Sequence, residues 1–195
     1  MIRSSDFDVT EITAAHVWYR HVPVGTSPFG RPYPARDRSA RWQRNEVVAA
    51  LYLADSEETM WSEWRRRVAD PLTGSETYPD DSVPRDVYAF RFELSGVAHL
   101  ASRARIRRVG LPYPPRPNDD SWQACQEVGH ALFHLGAPAL LAVSAPLLRG
   151  RVLCVFRPAQ PTRGGDVTYP VPGIVDVKKL RTQERVPPEV KGARQ

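Results

Sequence analysis

The stretch VVAALYLADSEETMWSEW, residues 47–64, decides how the chain is read. Its first seven residues, Val47 to Leu53, form a nearly continuous apolar run too short for a core helix. They read as a buried strand, with a helical turn as the other reading. Asp55 or Ser56 then caps a helix spanning residues 55–69, with Glu58 three positions after Asp55 as in a capping box. Met60, Trp61, Trp64 and Val68 recur at helical spacing and make its apolar stripe. Asp70-Pro71 ends it, because proline cannot continue the ladder. Glu63 borders that stripe rather than lying opposite it. Its carboxylate is therefore expected to be partly desolvated or close to a cleft.

Working outward, residues 16–20 read as a strand that ends in Tyr19-Arg20. Residues 87–94 alternate, with Tyr88, Phe90, Phe92 and Leu94 on one face, as a half-buried strand requires. Residues 121–135 read as a second helix with Trp122, Cys125, Val128, Leu132 and Leu135 on its apolar face and Gly136 at its C′ position. Residues 139–143 are an apolar strand that delivers Ser144 at its end, and residues 152–156 and 174–177 read as two further strands. Proline and glycine clusters place loops at 28–34, 70–84, 110–120 and 164–165. Strands outnumber helices and the two are interspersed, which predicts an α+β domain built on a mixed sheet. One domain is expected over residues 1–180, with 181–195 as a polar, flexible tail.

Composition bounds the function. Hydrophobic residues make up 42% and charged residues 25%, an ordinary globular balance. No run of about 18 apolar residues occurs, so no membrane span is expected, and the polar N-terminus carries no apolar signal core. The expected compartment is the cytoplasm. Cys125 and Cys154 form no CxxC motif and read as buried, reduced thiols. The net charge of +5 favours anionic partners without choosing among phosphate ligands, nucleic acid and acidic protein. The arginines of 65–67 and 103–108 read as solvated faces. There is no P-loop, no Rossmann glycine fingerprint, no GxSxG elbow and no HExxH. His130 and His134 stand four apart on the second helix, but no third ligand is evident and no metal is expected.

Five pieces in order resemble the RES-domain family, named for an Arg, a Glu and a Ser: YR (Tyr19, Arg20), ARW (Arg41, Trp42), YLADSEETMWSE (Tyr52 to Glu63), GHALFHLG (Gly129 to Gly136) and LLAVSA (Leu140 to Ala145). Ala40 stands where the family pattern has glycine before Arg-Trp. The resemblance implies a split mixed β-sheet like that of ADP-ribosyltransferases, with a cleft for NAD. It implies an NAD glycohydrolase or NAD phosphorylase that cleaves the nicotinamide–ribose bond, acting as the toxin of a toxin–antitoxin pair with an Xre-like antitoxin. NAD is then substrate, inorganic phosphate a co-substrate in the phosphorolytic case, and no cofactor is needed. Nucleic acid would be met only through the antitoxin complex.

The residue types suit that chemistry. Arginine forks bind diphosphate oxygens, and Arg20 and Arg41 are the candidates, with Tyr19 beside them. Tyr52 can stack on the nicotinamide ring or hydrogen-bond nearby. Nicotinamide leaves as a neutral molecule, so positive charge grows at the ribose C1, and a fixed carboxylate at Glu63 would stabilise it. Ser144 would contact ribose or phosphate, or support the cleft. Two other readings stand beside this one: an ADP-ribosyltransferase acting on a macromolecule, and a non-enzymatic nucleic-acid-binding module using the basic clusters.

Overall fold

A computed structural model describes residues 3–30, 41–43, 48–69, 83–113, 119–158, 171–185 and 187. After a short 3-10 turn at Ser4–Asp6 the elements run β1 (Val9–Ile12), β2 (Val17–Pro23), β3 (Val48–Ala54), α1 (Glu57–Ala69), β4 (Arg85–Phe92), β5 (Leu94–Leu100), α2 (Arg103–Arg108), α3 (Asp119–His134), β6 (Ala139–Val143), β7 (Arg151–Pro158) and β8 (Ile174–Gln183). Among the described residues eight strands make one sheet in the order β1-β5-β6-β7-β3-β2-β4-β8. Only β5 and β6 pair in parallel; the other neighbours are antiparallel. The fold is thus the expected α+β single domain on a mixed sheet. The loop readings at 28–34, 70–84, 110–120 and 164–165 lie largely outside the described residues. No helix among the described residues is long and apolar enough to cross a membrane.

The sheet is split. β3 pairs with β7 over all seven of its residues, and β2 pairs with β4 over all seven of its own. Between β2 and β3 the register holds at one point, Tyr19 opposite Ala54. Beyond that bridge the strands diverge, leaving a five-strand half (β1-β5-β6-β7-β3) and a three-strand half (β2-β4-β8) that meet at a fork.

Alternation distributes the core over two faces. Val48, Cys154, Phe156, Leu140 and Leu100 face α2 and α3, packing on Ile106, Val128 and Leu132. Leu51, Leu53, Leu153, Phe90, Phe92 and Trp18 fill the opposite face. Under α1 lies a third cluster of Ala54, Met60, Trp61, Trp64 and Val87, with Tyr19 against it. Burying these side chains contributes about 1.5–3 kcal/mol each, which is why the apolar run of β3, covered on both faces, does not alternate.

Several boundaries differ from the sequence reading for identifiable reasons. Ser56 caps α1, accepting the Thr59 amide at 3.1 Å. No capping box forms. Asp55 instead accepts the Thr59 hydroxyl at 2.7 Å and the Arg151 amide at 2.8 Å, and Glu58 pairs with Arg149. Leu135 is 48% exposed, because it falls past the last turn of α3. There Gly136, at φ 81°, closes the helix with bonds from its own amide to the Phe133 carbonyl and from the Ala137 amide to the Leu132 carbonyl. The residues 103–108, expected as a solvated basic face, form α2. Ser102 caps it, Ile106 is buried beneath it, and Arg105 and Arg108 clasp Asp8 at 2.6 and 2.8 Å. The final strand extends to Gln183, past the expected tail boundary at 181. Gln183 pairs with Arg85, Thr182 and Lys179 bond to Asp86, and Arg181 forks onto Glu57.

Candidate functional site

α1 carries Glu63 and spans both halves of the sheet. On one side Asp55, just before the helix, accepts the Arg151 amide at the start of β7. On the other side Trp61 and Trp64 rest on the three-strand half, where His21 of β2 stacks on Trp61 (ring centroids 4.7 Å apart, planes 9° apart) and meets the Trp64 ring edge-on. Glu63 lies between these two tryptophans in sequence but turns toward the end of β6. Its Oε1 accepts the Ser144 hydroxyl at 2.7 Å and the Ala145 amide at 3.2 Å. Oε2 makes no hydrogen bond among the described residues. One carboxylate oxygen is therefore fixed by protein donors while the other meets none among the described residues.

Ser144 is fully buried. Its Oγ donates to Glu63 and accepts the Leu147 amide at 3.3 Å. A buried hydroxyl with both functions used holds the carboxylate in place rather than lining a surface. The strand-end serine thus anchors Glu63 from below.

Arg41 enters from the chain preceding β3. The Trp42 amide donates to the Tyr52 hydroxyl at 2.9 Å, and the Gln43 side chain accepts the Ala50 amide at 3.0 Å. α3 presses on the same segment: a Cβ added to Gly129 would sit 2.2 Å from the Trp42 carbonyl oxygen, so only glycine fits there. Tyr52 therefore spends its hydroxyl placing Arg41-Trp42. Cys154, opposite Tyr52 in the β3–β7 ladder, registers both charges of the site. Burial pushes its thiol well above the usual range, the Glu63 carboxylate pushes it further, and the Arg41 guanidinium pulls it back. Cys125 is likewise pushed up, to about 11, by burial, with Arg41 acting against it. Both cysteines are free and buried, as read from the sequence.

Tyr19 and Arg20 are adjacent on β2 and so take opposite faces. Tyr19 packs beneath α1. Arg20 sits in the fork, donating from Nη1 to the Tyr52 carbonyl at 3.1 Å and from Nη2 to the Gly30 carbonyl at 2.9 Å. It occupies the place where a β2–β3 ladder bond would have formed. Tyr19 and Arg20 thus meet the C-terminal half of β3, where Tyr52 lies, while Glu63 and Ser144 meet at the end of β6. Glu63 bonds directly to Ser144, and the Trp42 amide, next to Arg41 in sequence, bonds to the Tyr52 hydroxyl.

Sequence reasoning missed the buried layer under α1. Arg85, the first residue of β4, is 1% exposed. Its Nε donates to His21 Nδ1 at 2.6 Å and its guanidinium lies 4.0 Å from the centre of the Trp64 ring. An arginine at a strand start reads as surface charge, and only the tryptophan spacing on α1 hints at a cation beneath. At the far end of α3, His130 and His134 approach with Nε2 atoms 2.9 Å apart. Among the described residues no group of three His, Cys, Asp or Glu side chains is placed to hold a metal.

The fold is similar to that of the MbcT toxin in the crystal structure of the M. tuberculosis MbcT–MbcA toxin–antitoxin complex. The TM-score is 0.57 at 24% identity, covering 87% of this chain and 86% of that chain. No curated protein matches the sequence. A family model described as the RES domain matches residues 14–178, from the residues before β2 to the middle of β8, and on that match the chain belongs to the RES-domain family.

Proposed function

We propose that this protein cleaves the nicotinamide–ribose bond of NAD and serves as the toxin of a toxin–antitoxin pair. The observation that carries the reading is the Glu63 carboxylate, held through Oε1 by Ser144 and Ala145 while Oε2 meets no hydrogen-bond donor among the described residues.

In the reaction the C1–N bond breaks heterolytically. Its electron pair goes to the pyridinium nitrogen, which becomes neutral, so no proton need be supplied to the leaving group. Positive charge develops at C1 and the ring oxygen of the ribose, as in glycoside hydrolysis. A carboxylate already oriented by two donors can stabilise that charge without reorganising, which is the most effective form of electrostatic catalysis. Water or inorganic phosphate then forms the new bond to C1; in the hydrolytic case the water proton passes to solvent.

Arg41 is the preferred diphosphate candidate, since Arg20 already uses both terminal nitrogens on backbone carbonyls of the fork. The toxin role rests on the family and on the toxin–antitoxin complex of the structural relative. The net charge of +5 suits an acidic or phosphate-bearing partner, and an Xre-like antitoxin covering the fork would silence the site.

The test incubates the purified protein with NAD, with and without phosphate, and follows nicotinamide by chromatography beside a Glu63→Gln control. Nicotinamide release by wild type, reduced more than about tenfold in folded Glu63→Gln, is the expected outcome. Dependence on phosphate would mark phosphorolysis. Equal release by both proteins would remove Glu63 from the mechanism. No release without a macromolecular acceptor, but label transferred when one is added, would replace cleavage by ADP-ribosyl transfer.

A further inference from the structure

We infer that Arg85 and His21 are positioning residues for Glu63: a buried cation–imidazole pair that sets the pitch and rotation of α1 from the three-strand half of the sheet. The inference rests on the reading of Glu63 as the charge-stabilising group.

The geometry runs in a single chain of contacts. Arg85 is 1% exposed at the start of β4, opposite Pro23 of β2. Its Nε donates to His21 Nδ1 at 2.6 Å, which makes His21 a neutral imidazole with its proton on Nε2. The His21 ring then lies flat on Trp61 and edge-on to Trp64, while the Arg85 guanidinium covers Trp64 at 4.0 Å. Trp61 and Trp64 flank Glu63, one two positions before it and the other one after. Both rings of α1 that face the three-strand half are thus seated on the same Arg85–His21 pair.

Glu63 meets its other constraint on the five-strand half, where Ser144 and Ala145 hold Oε1. Those two donors fix the carboxylate's tip; the tryptophans fix the helix that delivers it. Among the described residues the backbone ladder between the two halves pairs at Tyr19–Ala54 alone, so the two anchors reach α1 from different halves of the sheet. A buried arginine is an expensive way to fill a core. A planar guanidinium that must both stack on one ring and bond to the imidazole under another defines a rotation that an aliphatic side chain would leave free.

Small displacements of a catalytic group are costly: about 1 Å can lower a rate by 10²-fold. His21→Phe keeps a ring for Trp61 but removes the acceptor for Arg85; Arg85→Met keeps the length and loses the guanidinium; Arg85→Lys keeps the charge. With NAD as probe, His21→Phe and Arg85→Met are expected to lower kcat for nicotinamide release by about tenfold while KM stays within about twofold, because Glu63 acts on the transition state rather than on substrate binding. Arg85→Lys should recover part of kcat. Wild-type kcat in folded variants, or a loss confined to KM, overturns the inference.

Backbone amide exchange over residues 57–65 gives a readout that needs no activity. Faster exchange there in His21→Phe, with the β3–β7 ladder unchanged, is expected, and unchanged exchange in α1 refutes the positioning role. Should wild type release no nicotinamide, the proposed reaction fails on that result alone, while the exchange experiment still decides whether Arg85 and His21 set the helix. If Arg85→Met does not fold, His21→Phe carries both measurements.

Discussion

Ser144→Ala removes one oxygen atom, and the structure sets what that should cost. The Oγ–Glu63 contact is a 2.7 Å hydrogen bond to a charged acceptor, a class that contributes about 1.5–3 kcal/mol. Glu63 is only partly buried, so solvent screening favours the lower end, about 1.5 kcal/mol. The same deletion strips the Leu147 amide of its acceptor. That bond is long at 3.3 Å, and its loss in a buried turn adds about 1 kcal/mol. The total, about 2–3 kcal/mol, corresponds to a fall in Tm of roughly 4–12 °C for a domain of this size.

A urea-denaturation cycle with Ser144→Ala, Glu63→Ala and the double variant isolates the pair. The Leu147 contribution is present in both Ser144 variants and cancels, leaving an expected coupling of about 1.5 kcal/mol. The Ala145 amide continues to hold Oε1 in the single serine variant, so activity should fall without vanishing. A coupling below about 0.5 kcal/mol would refute the claim that Ser144 orients the carboxylate, since that is the scatter expected of independent sites.

Three other outcomes are expected. Tyr52→Phe should cost about 1 kcal/mol through the lost acceptor for the Trp42 amide and weaken NAD binding by loosening Arg41, measurable by calorimetry. Gly129→Ala should destabilise by about 1–3 kcal/mol in thermal unfolding, because its methyl would meet the Trp42 carbonyl and one backbone must move. Asp86 supplies the pH dependence. Burial alone would raise its carboxyl, but Lys179 and the Thr182 hydroxyl outweigh that and hold it below 3.8. A depressed carboxylate adds stability above its unfolded pKa and loses it as pH falls through the folded value. Wild type should therefore exceed Asp86→Asn in stability at neutral pH, and the gap should close below about pH 4 in acid-titrated denaturation.

How far the sequence was legible depended on element length and on competition for hydrogen-bonding groups. β3 and α1 were readable because an apolar run, a cap and a 3.6-residue stripe follow one another without interruption in residues 47–64. Glu63 was readable as a residue at the stripe's edge, and Ser144 as the end of a buried strand. β1 was not, since VTEI is four residues long with one buried side chain. β5 was missed because it pairs in parallel with β6 and carries Gly96 in a left-handed conformation, so LSGVAHL shows no alternation. α2 hides a single buried Ile106 among four arginines. Asp55 was expected at the helix start and went instead to β7, a non-local bond that no local pattern announces. The Arg85–His21 layer depends on pairing across β2 and β4, which sequence spacing does not reveal.

The open sides of the sheet bear on how the molecule behaves in company. Among the described residues β1 offers four residues at one edge, too few to template another chain, while β8 offers ten at the other. A strand that long, with Val175 and Leu180 exposed, is the kind of edge along which proteins zip together. Here it also carries Lys178, Lys179 and Arg181. A second copy approaching edge to edge would set cation against cation, so the charges that fasten β8 to Asp86 and Glu57 at home also discourage fibre-like stacking abroad.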